Sequence, residues 1–126
     1  MPPRIYPTVA ETIATHRILI DEFGGRQGIR DKGLQESAVF RPQSGYYSGI
    51  IEEASALMES LANNHAFIDG NKRIGFVMTD VMLRANGYFL DVDPVEAHKV
   101  ITEAMNEKLF RFPMICAWIA SIVKAS

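Results

Sequence analysis

Residues 51–87 read IEEASALMESLANNHAFIDGNKRIGFVMTDVMLRANG, two runs of apolar periodicity on either side of a short polar break. In the first run, Ile51, Ala54, Leu57, Met58 and Leu61 recur at helical spacing and make one stripe of an amphipathic helix from Ile51 to Asn64. In the second, from Asn71 to Asn86, Ile74, Val77, Met78, Val81 and Met82 form a broad buried face, and Gly87 supplies the C-terminal cap. Asp69-Gly70 between them is the pair that interhelical turns favour. A helix, a turn and a central helix therefore form the middle of the chain.

Working outward, Thr8 followed by Glu11 is a capping-box signal, and Val9, Ile13 and Ile20 carry a helix to the stop at Gly24-Gly25. Asp31 to Phe40 is a shorter helical candidate, closed by the approach to Pro42. Residues 43–49, with Tyr46-Tyr47 between Gly45 and Gly49, are too short for a helix and read as an exposed loop or a small hairpin, expected to act as a flap. Asp93, Pro94 and Glu96 start a helix running to about Lys108. A last apolar helix runs from Phe112-Pro113 through Val123, its near-continuous hydrophobicity suggesting packing on two sides. The expectation is an all-α bundle of about six helices, a single domain over residues 1–126, with no strand-rich region and with Met58, Met78, Met82 and Met105 in the core.

Composition limits the function classes. At 126 residues and 48% hydrophobic content the chain can bury a core without staples, and its lone Cys116 excludes a disulfide framework and suits a reducing compartment. A net charge of −2 supplies no basic field for a nucleic-acid backbone, so no nucleic-acid partner is expected. No apolar run approaches the roughly 20 residues of a membrane span, and the start lacks a signal core, so no membrane association and a cytoplasmic location are expected.

The chemistry is concentrated in His65-Ala66-Phe67-Ile68-Asp69-Gly70-Asn71-Lys72-Arg73. A loop running into a helix presents unpaired N–H groups at the positive end of the macrodipole, where phosphate oxygens bind readily, and Gly70 lets backbone approach closely. Lys72 and Arg73 sit in the first helical turn, where the dipole prefers acids; an anionic ligand resolves that conflict. Asp69 is a hard oxygen donor suited to the magnesium that accompanies nucleotide phosphates, and His65 can take a proton from an attacking hydroxyl. Phe67 is read as the apolar anchor of the loop, while Asn71 could contact phosphate or brace the loop. A histidine alone at a helix end is commonly a cap, and Asp-Gly alone a turn; their company turns them into a phosphate-handling constellation. His16 and His98 have no such company. The glycine spacing of a Walker loop is absent, which excludes a P-loop ATPase as the leading reading.

This nonapeptide resembles the signature loop of the Fic/Doc family, His-x-Phe-x-Asp/Glu-Gly-Asn followed by basic residues. The likeness extends upstream to Gly28-Ile29-Arg30-Asp31-Lys32-Gly33-Leu34-Gln35-Glu36-Ser37-Ala38 and downstream to Leu83-Arg84-Ala85-Asn86-Gly87-Tyr88, similar to the death-on-curing branch. The resemblance implies a Fic-type helical fold with His65 as general base, Asp69 as magnesium ligand, and Gly70, Asn71, Lys72 and Arg73 as the phosphate-binding set. Where the common Fic form has Gly-Asn-Gly-Arg and a later second arginine, this chain has Lys72 and Phe76. That departure resembles the Doc variant and implies phosphoryl transfer from ATP, or another nucleoside triphosphate, to a Ser/Thr hydroxyl. AMP transfer is the alternative within the family.

Doc-type enzymes are toxins that modify a translation factor, typically elongation factor Tu, and are neutralised by a cognate antitoxin; those partners are what the resemblance implies. The inhibitory Ser/Thr-x-x-x-Glu-Gly/Asn motif of some Fic proteins is absent, which favours regulation by a separate chain. Tyr46 and Tyr47 of the expected flap are candidates for positioning the target by backbone hydrogen bonds. A catalytically inactive helical module that binds a partner peptide is the reading of a different class.

Overall fold

The computed structural model describes residues 3–126. Its elements are α1 (Val9–Phe23), α2 (Lys32–Phe40), a short 3-10 turn (Arg41–Gln43), α3 (Ile50–Asn63), α4 (Asn71–Ala85), β1 (Tyr88–Leu90), α5 (Pro94–Asn106), α6 (Phe112–Ile122) and β2 (Val123–Ala125). Among the described residues the regular structure is helical apart from one small two-stranded sheet. The capping box at α1 is complete: Thr8 Oγ1 accepts from the Glu11 N–H at 3.0 Å, and Glu11 Oε1 accepts from the Thr8 N–H at 2.9 Å. At α2 the Asp31 carboxylate caps the Leu34 N–H at 3.0 Å. Asp93, in contrast, makes no side-chain cap bond at α5.

α3 and α4 occupy the centre because each has apolar side chains on two faces. Ala54, Met58 and Ala62 of α3, with Leu83 of α4, meet Ile101 of α5 and Ile115 and Ile119 of α6. Leu57 and Leu61 of α3, with Ile74, Met78 and Met82 of α4, meet Ala38 of α2 and Phe67 of the intervening loop. The single stripe read on α3 is therefore two rows. Close approach of these helices needs Gly75, since a Cβ there would lie 3.2 Å from both the Cβ and the backbone nitrogen of Ala62. Of the expected core methionines, Met58, Met78 and Met82 are fully buried and Met105 packs half-buried at the edge.

The segment before α1 is strapped across the central helices. Glu53 on α3, 8% exposed, accepts from Arg4 Nε at 3.1 Å and from the Tyr6 hydroxyl at 2.8 Å. Burial, then the bond to Glu53, raises the Tyr6 pKa, so the phenol stays a donor. The Asn86 amide clamps the backbone of Ile5, accepting from its N–H at 2.9 Å and donating to its carbonyl at 2.7 Å. Replacing Glu53 by Ala is expected to cost about 1 kcal/mol, because it removes the acceptor shared by the half-buried Tyr6 hydroxyl and Arg4; urea denaturation would show it as a lower midpoint at unchanged slope.

Three expectations need correction. The hairpin alternative for residues 43–49 does not form and the stretch is the exposed loop: Arg41 Nε donates to the Tyr47 hydroxyl at 2.6 Å while its Nη1 bonds Glu59 and Ser60 of α3, holding the Tyr47 end against the helix. The antiparallel pairing lies elsewhere, between β1 and β2, with Tyr88 opposite Ala125, Phe89 opposite Lys124 and Leu90 opposite Val123. Val123 therefore opens a strand instead of closing the last helix. α6 buries Ile115 and Ile119 against α3 but exposes Ala117, Ala120 and Ser121, so its small residues, not a second apolar layer, form the outer face. Cys116 is a half-buried free thiol there. No helix among the described residues is long and apolar enough to cross a membrane.

Candidate active site

The loop between α3 and α4 is held by backbone pairing with the α1–α2 connection. The N–H groups of Arg30 and Asp31 donate to the Ala66 carbonyl at 2.8 and 3.0 Å, and the Ile68 N–H donates to the Gly28 carbonyl at 3.1 Å, forming an antiparallel bridge between Ile29 and Phe67. The loop's border is thus 28–31, and no backbone hydrogen bond among the described residues joins it to 43–49. Tyr47 instead packs on Phe112, with ring centroids 5.5 Å apart, and Tyr46 is 84% exposed.

His65 lies exposed at the head of the loop with φ of 52°, a left-handed conformation unusual outside glycine. The Arg30 guanidinium donates to the His65 and Asn64 carbonyls and braces that turn. Phe67, 1% exposed, drives into the core and stacks on His16 with centroids 3.9 Å apart. Asn71 is buried, and its side chain clamps one residue: Oδ1 accepts from the Phe67 N–H at 3.1 Å and Nδ2 donates to the Phe67 carbonyl at 3.0 Å. Of the two uses open to Asn71, its amide serves as a brace; its backbone N–H remains at the helix start.

Asp69 is fixed at three points. Its Oδ2 accepts from the Arg26 N–H at 3.1 Å, its Oδ1 from the Gly70 N–H at 2.8 Å, and its carbonyl lies 2.7 Å from His16 Nε2. A Cβ on Gly25 would come within 2.8 Å of the Asp69 carboxylate, so only glycine lets the α1–α2 connection pass this closely. Gly70, with φ of 77°, makes the turn into α4. No group of three or more His, Cys, Asp or Glu side chains able to hold a metal occurs among the described residues. A lone exposed carboxylate suits magnesium carried in with phosphates, which keeps several waters and needs one or two protein carboxylates; Asp69 is the residue that would hold it.

The start of α4 differs from the other helix starts. α1 and α2 have side-chain caps, α3 and α5 have acids in their first turns, and the Phe112 N–H at the head of α6 donates to Glu59 Oε2 at 2.6 Å. α4 has neither a side-chain cap bond nor an acid in its first turn, and it has Lys72 and Arg73 there instead. Arg73 lies over the Phe23 ring, its Cζ 4.6 Å from the centroid. Both cations also line a mostly apolar cavity of about 570 Å³ between α1, α4 and α5, with Phe23, Phe76, Val95 and His98 among its walls.

The structure therefore brings His65, Asp69, Gly70, Asn71, Lys72 and Arg73 onto one loop and helix end and leaves Tyr46 and Tyr47 in a different environment. Two supporting residues escaped sequence reading. Arg30 contacts only carbonyls of the loop, a role without a sequence pattern. His16 had a faint signal, for Thr12, His16 and Ile20 are one buried row of α1, and a polar group at a core position must find a partner.

The comparisons with known proteins agree with this geometry. Residues 6–83, more than half of the chain, match the Fic/DOC family profile, a span from just before α1 into the last turn of α4 that holds the whole loop. A protein named Toxin Doc from Mycolicibacterium smegmatis (strain ATCC 700084 / mc(2)155) is 42% identical over 76 residues, a match that spans 56% of this chain and 58% of that relative. The chain belongs to the Fic/DOC family.

Proposed function

We propose that this protein is a Doc-type toxin that transfers the γ-phosphoryl group of ATP to a Ser/Thr hydroxyl of a protein target, acting as one domain in the cytoplasm. The observation that carries this reading is the start of α4, which has bare N–H groups and two cations where the other helices have a hydroxyl or a carboxylate. Such an end is destabilised when empty and is completed by phosphate. The name of the Mycolicibacterium smegmatis relative supports the toxin reading, and by the resemblance of the signature loop to the death-on-curing branch we take the target to be elongation factor Tu and the restraint to be a separately encoded antitoxin.

The Asn71, Lys72 and Arg73 backbone, with the two side-chain cations, would hold the β- and γ-phosphates, beside a Gly70 N–H already taken by Asp69 Oδ1, and the neighbouring cavity offers room for the nucleoside. Asp69 would hold magnesium, which when bound neutralises phosphate charge. The target hydroxyl oxygen attacks the γ-phosphorus, the bond from that phosphorus to the β–γ bridging oxygen breaks, and ADP leaves with that oxygen. His65 accepts the hydroxyl proton. Phosphoryl transfer asks for positioning and charge stabilisation above all, and a rigid loop supplies the first while a helix end supplies the second. The outer edge at Gly28–Arg30, bridged to Phe67 on its inner side, would let an extended target segment add backbone hydrogen bonds beside His65.

Lys72 and Phe76, where AMP-transferring relatives have glycine and arginine, favour attack at the γ-phosphorus over the α-phosphorus. Intact-mass measurement of purified elongation factor Tu, after incubation with ATP, magnesium and the protein or its His65→Ala variant, decides. A phosphate adduct dependent on His65 is expected. An AMP adduct would overturn the kinase reading, and no adduct would favour a module that binds without catalysis.

A further inference from the structure

We propose that His16 is a positioning residue for the transfer reaction, acting by fixing the Asp69–Gly70 peptide plane; the inference rests on the reading of Asp69 and the α4 start given above. His16 is 3% exposed on the inner face of α1, parallel to the Phe67 ring with an interplanar angle of 12°. Its Nε2 lies 2.7 Å from the Asp69 carbonyl oxygen. A carbonyl only accepts, so Nε2 carries the hydrogen and His16 is the donor.

The consequence follows from peptide geometry. In a trans peptide the C=O and the next N–H point in opposite directions within one plane. Holding the Asp69 carbonyl inward against His16 therefore turns the Gly70 N–H outward, and that N–H meets Asp69 Oδ1 at 2.8 Å. One imidazole thus orients both a backbone donor beside the phosphate site and the carboxylate assigned to magnesium. The hold is needed because glycine at position 70 places no steric limit on the plane's rotation. Without the donor, the Asp69 carbonyl would lose its buried partner and rotate toward water, carrying the Gly70 N–H inward and freeing the carboxylate.

Two interactions of His16 can be separated by substitution. His16→Phe keeps an aromatic ring on Phe67 and removes the donor; His16→Gln restores a donor of similar reach without the ring. In the free protein, hydrogen exchange of the Gly70 amide measured by NMR is expected to accelerate in His16→Phe and return toward wild type in His16→Gln. In the transfer assay, His16→Phe is expected to lower kcat by about ten- to a hundredfold, the order of one buried hydrogen bond lost, and to raise the magnesium concentration for half-maximal rate, with His16→Gln recovering most of both. A merely structural His16 would give the reverse ranking, with the ring rescuing and the amide failing, and that ranking or a wild-type Gly70 exchange rate in His16→Phe would overturn the proposal. Should the wild-type protein transfer nothing, the kinase reading fails while Gly70 exchange still decides the role of His16.

Discussion

Replacing His65 by Ala is expected to lower kcat by about two to four orders of magnitude, the range for a lost general base, while leaving the fold and nucleotide binding nearly unchanged. The expectation rests on where the side chain is. His65 is exposed, and its ring makes no hydrogen bond to any described residue, so its removal strands no buried partner. Its contribution to the loop comes from its backbone, whose carbonyl accepts from Arg30 and persists in the variant. Lys72→Ala should behave differently, weakening nucleotide binding through a lost cation at the phosphate site. Rates measured against ATP concentration distinguish the two, since loss of a transition-state role lowers kcat and loss of ground-state binding raises KM.

The second large effect is expected at Phe67. Truncation to Ala empties the space of a fully buried aromatic side chain, and changes of that kind cost about 3–5 kcal/mol. Here the ring also supports His16, and its own backbone N–H and carbonyl are clamped by Asn71. The variant should therefore lose stability and loop order together, measurable as a fall in melting temperature on the order of 10 °C or more for a domain of this size. Phe67→Leu, which keeps most of the volume, should recover most of the stability and little of the ring stacking. Near-equal melting temperatures for wild type and Phe67→Ala would show that the loop is not anchored in the core.

What could be read in the sequence was what short-range physics determines. The capping box of Thr8 and Glu11 spans three residues and forms as read. The α3 and α4 runs declare themselves through apolar spacing, and the dense group from His65 to Arg73 lies on contiguous chain, so its assembly needed no knowledge of the fold. Features that depended on distant partners were hidden. β1 and β2 are three residues each, too short to show alternation, and they pair because α5 and α6 bring the chain end back beside Tyr88. Tyr46-Tyr47 between glycines left loop and hairpin both open, and the loop forms with Tyr47 drawn down by Arg41, itself committed to Glu59. Burial opposes the charge on Arg41, but Glu59 and Tyr47 outweigh it and raise its pKa, so the guanidinium stays charged and in place.

The site shows the same division. The choice between phosphate contact and brace for Asn71 turned on whether its side chain faces in or out, which only the packing of Phe67 decides. His16 and Asp69 are separated by 53 positions, and nothing local marks one as the partner of the other. The sequence thus named the residues at the front of the loop, and the fold supplied those behind it.

The most direct test of the account is to locate the phosphates. Amide NMR of the protein titrated with magnesium and ATP should shift the Gly70, Asn71, Lys72 and Arg73 N–H resonances first and most strongly, with Phe76 and His98 following as the cavity fills. Saturating ATP that leaves those four amides unmoved, while shifting others or none, would contradict the claim that the bare end of α4 is the nucleotide phosphate site.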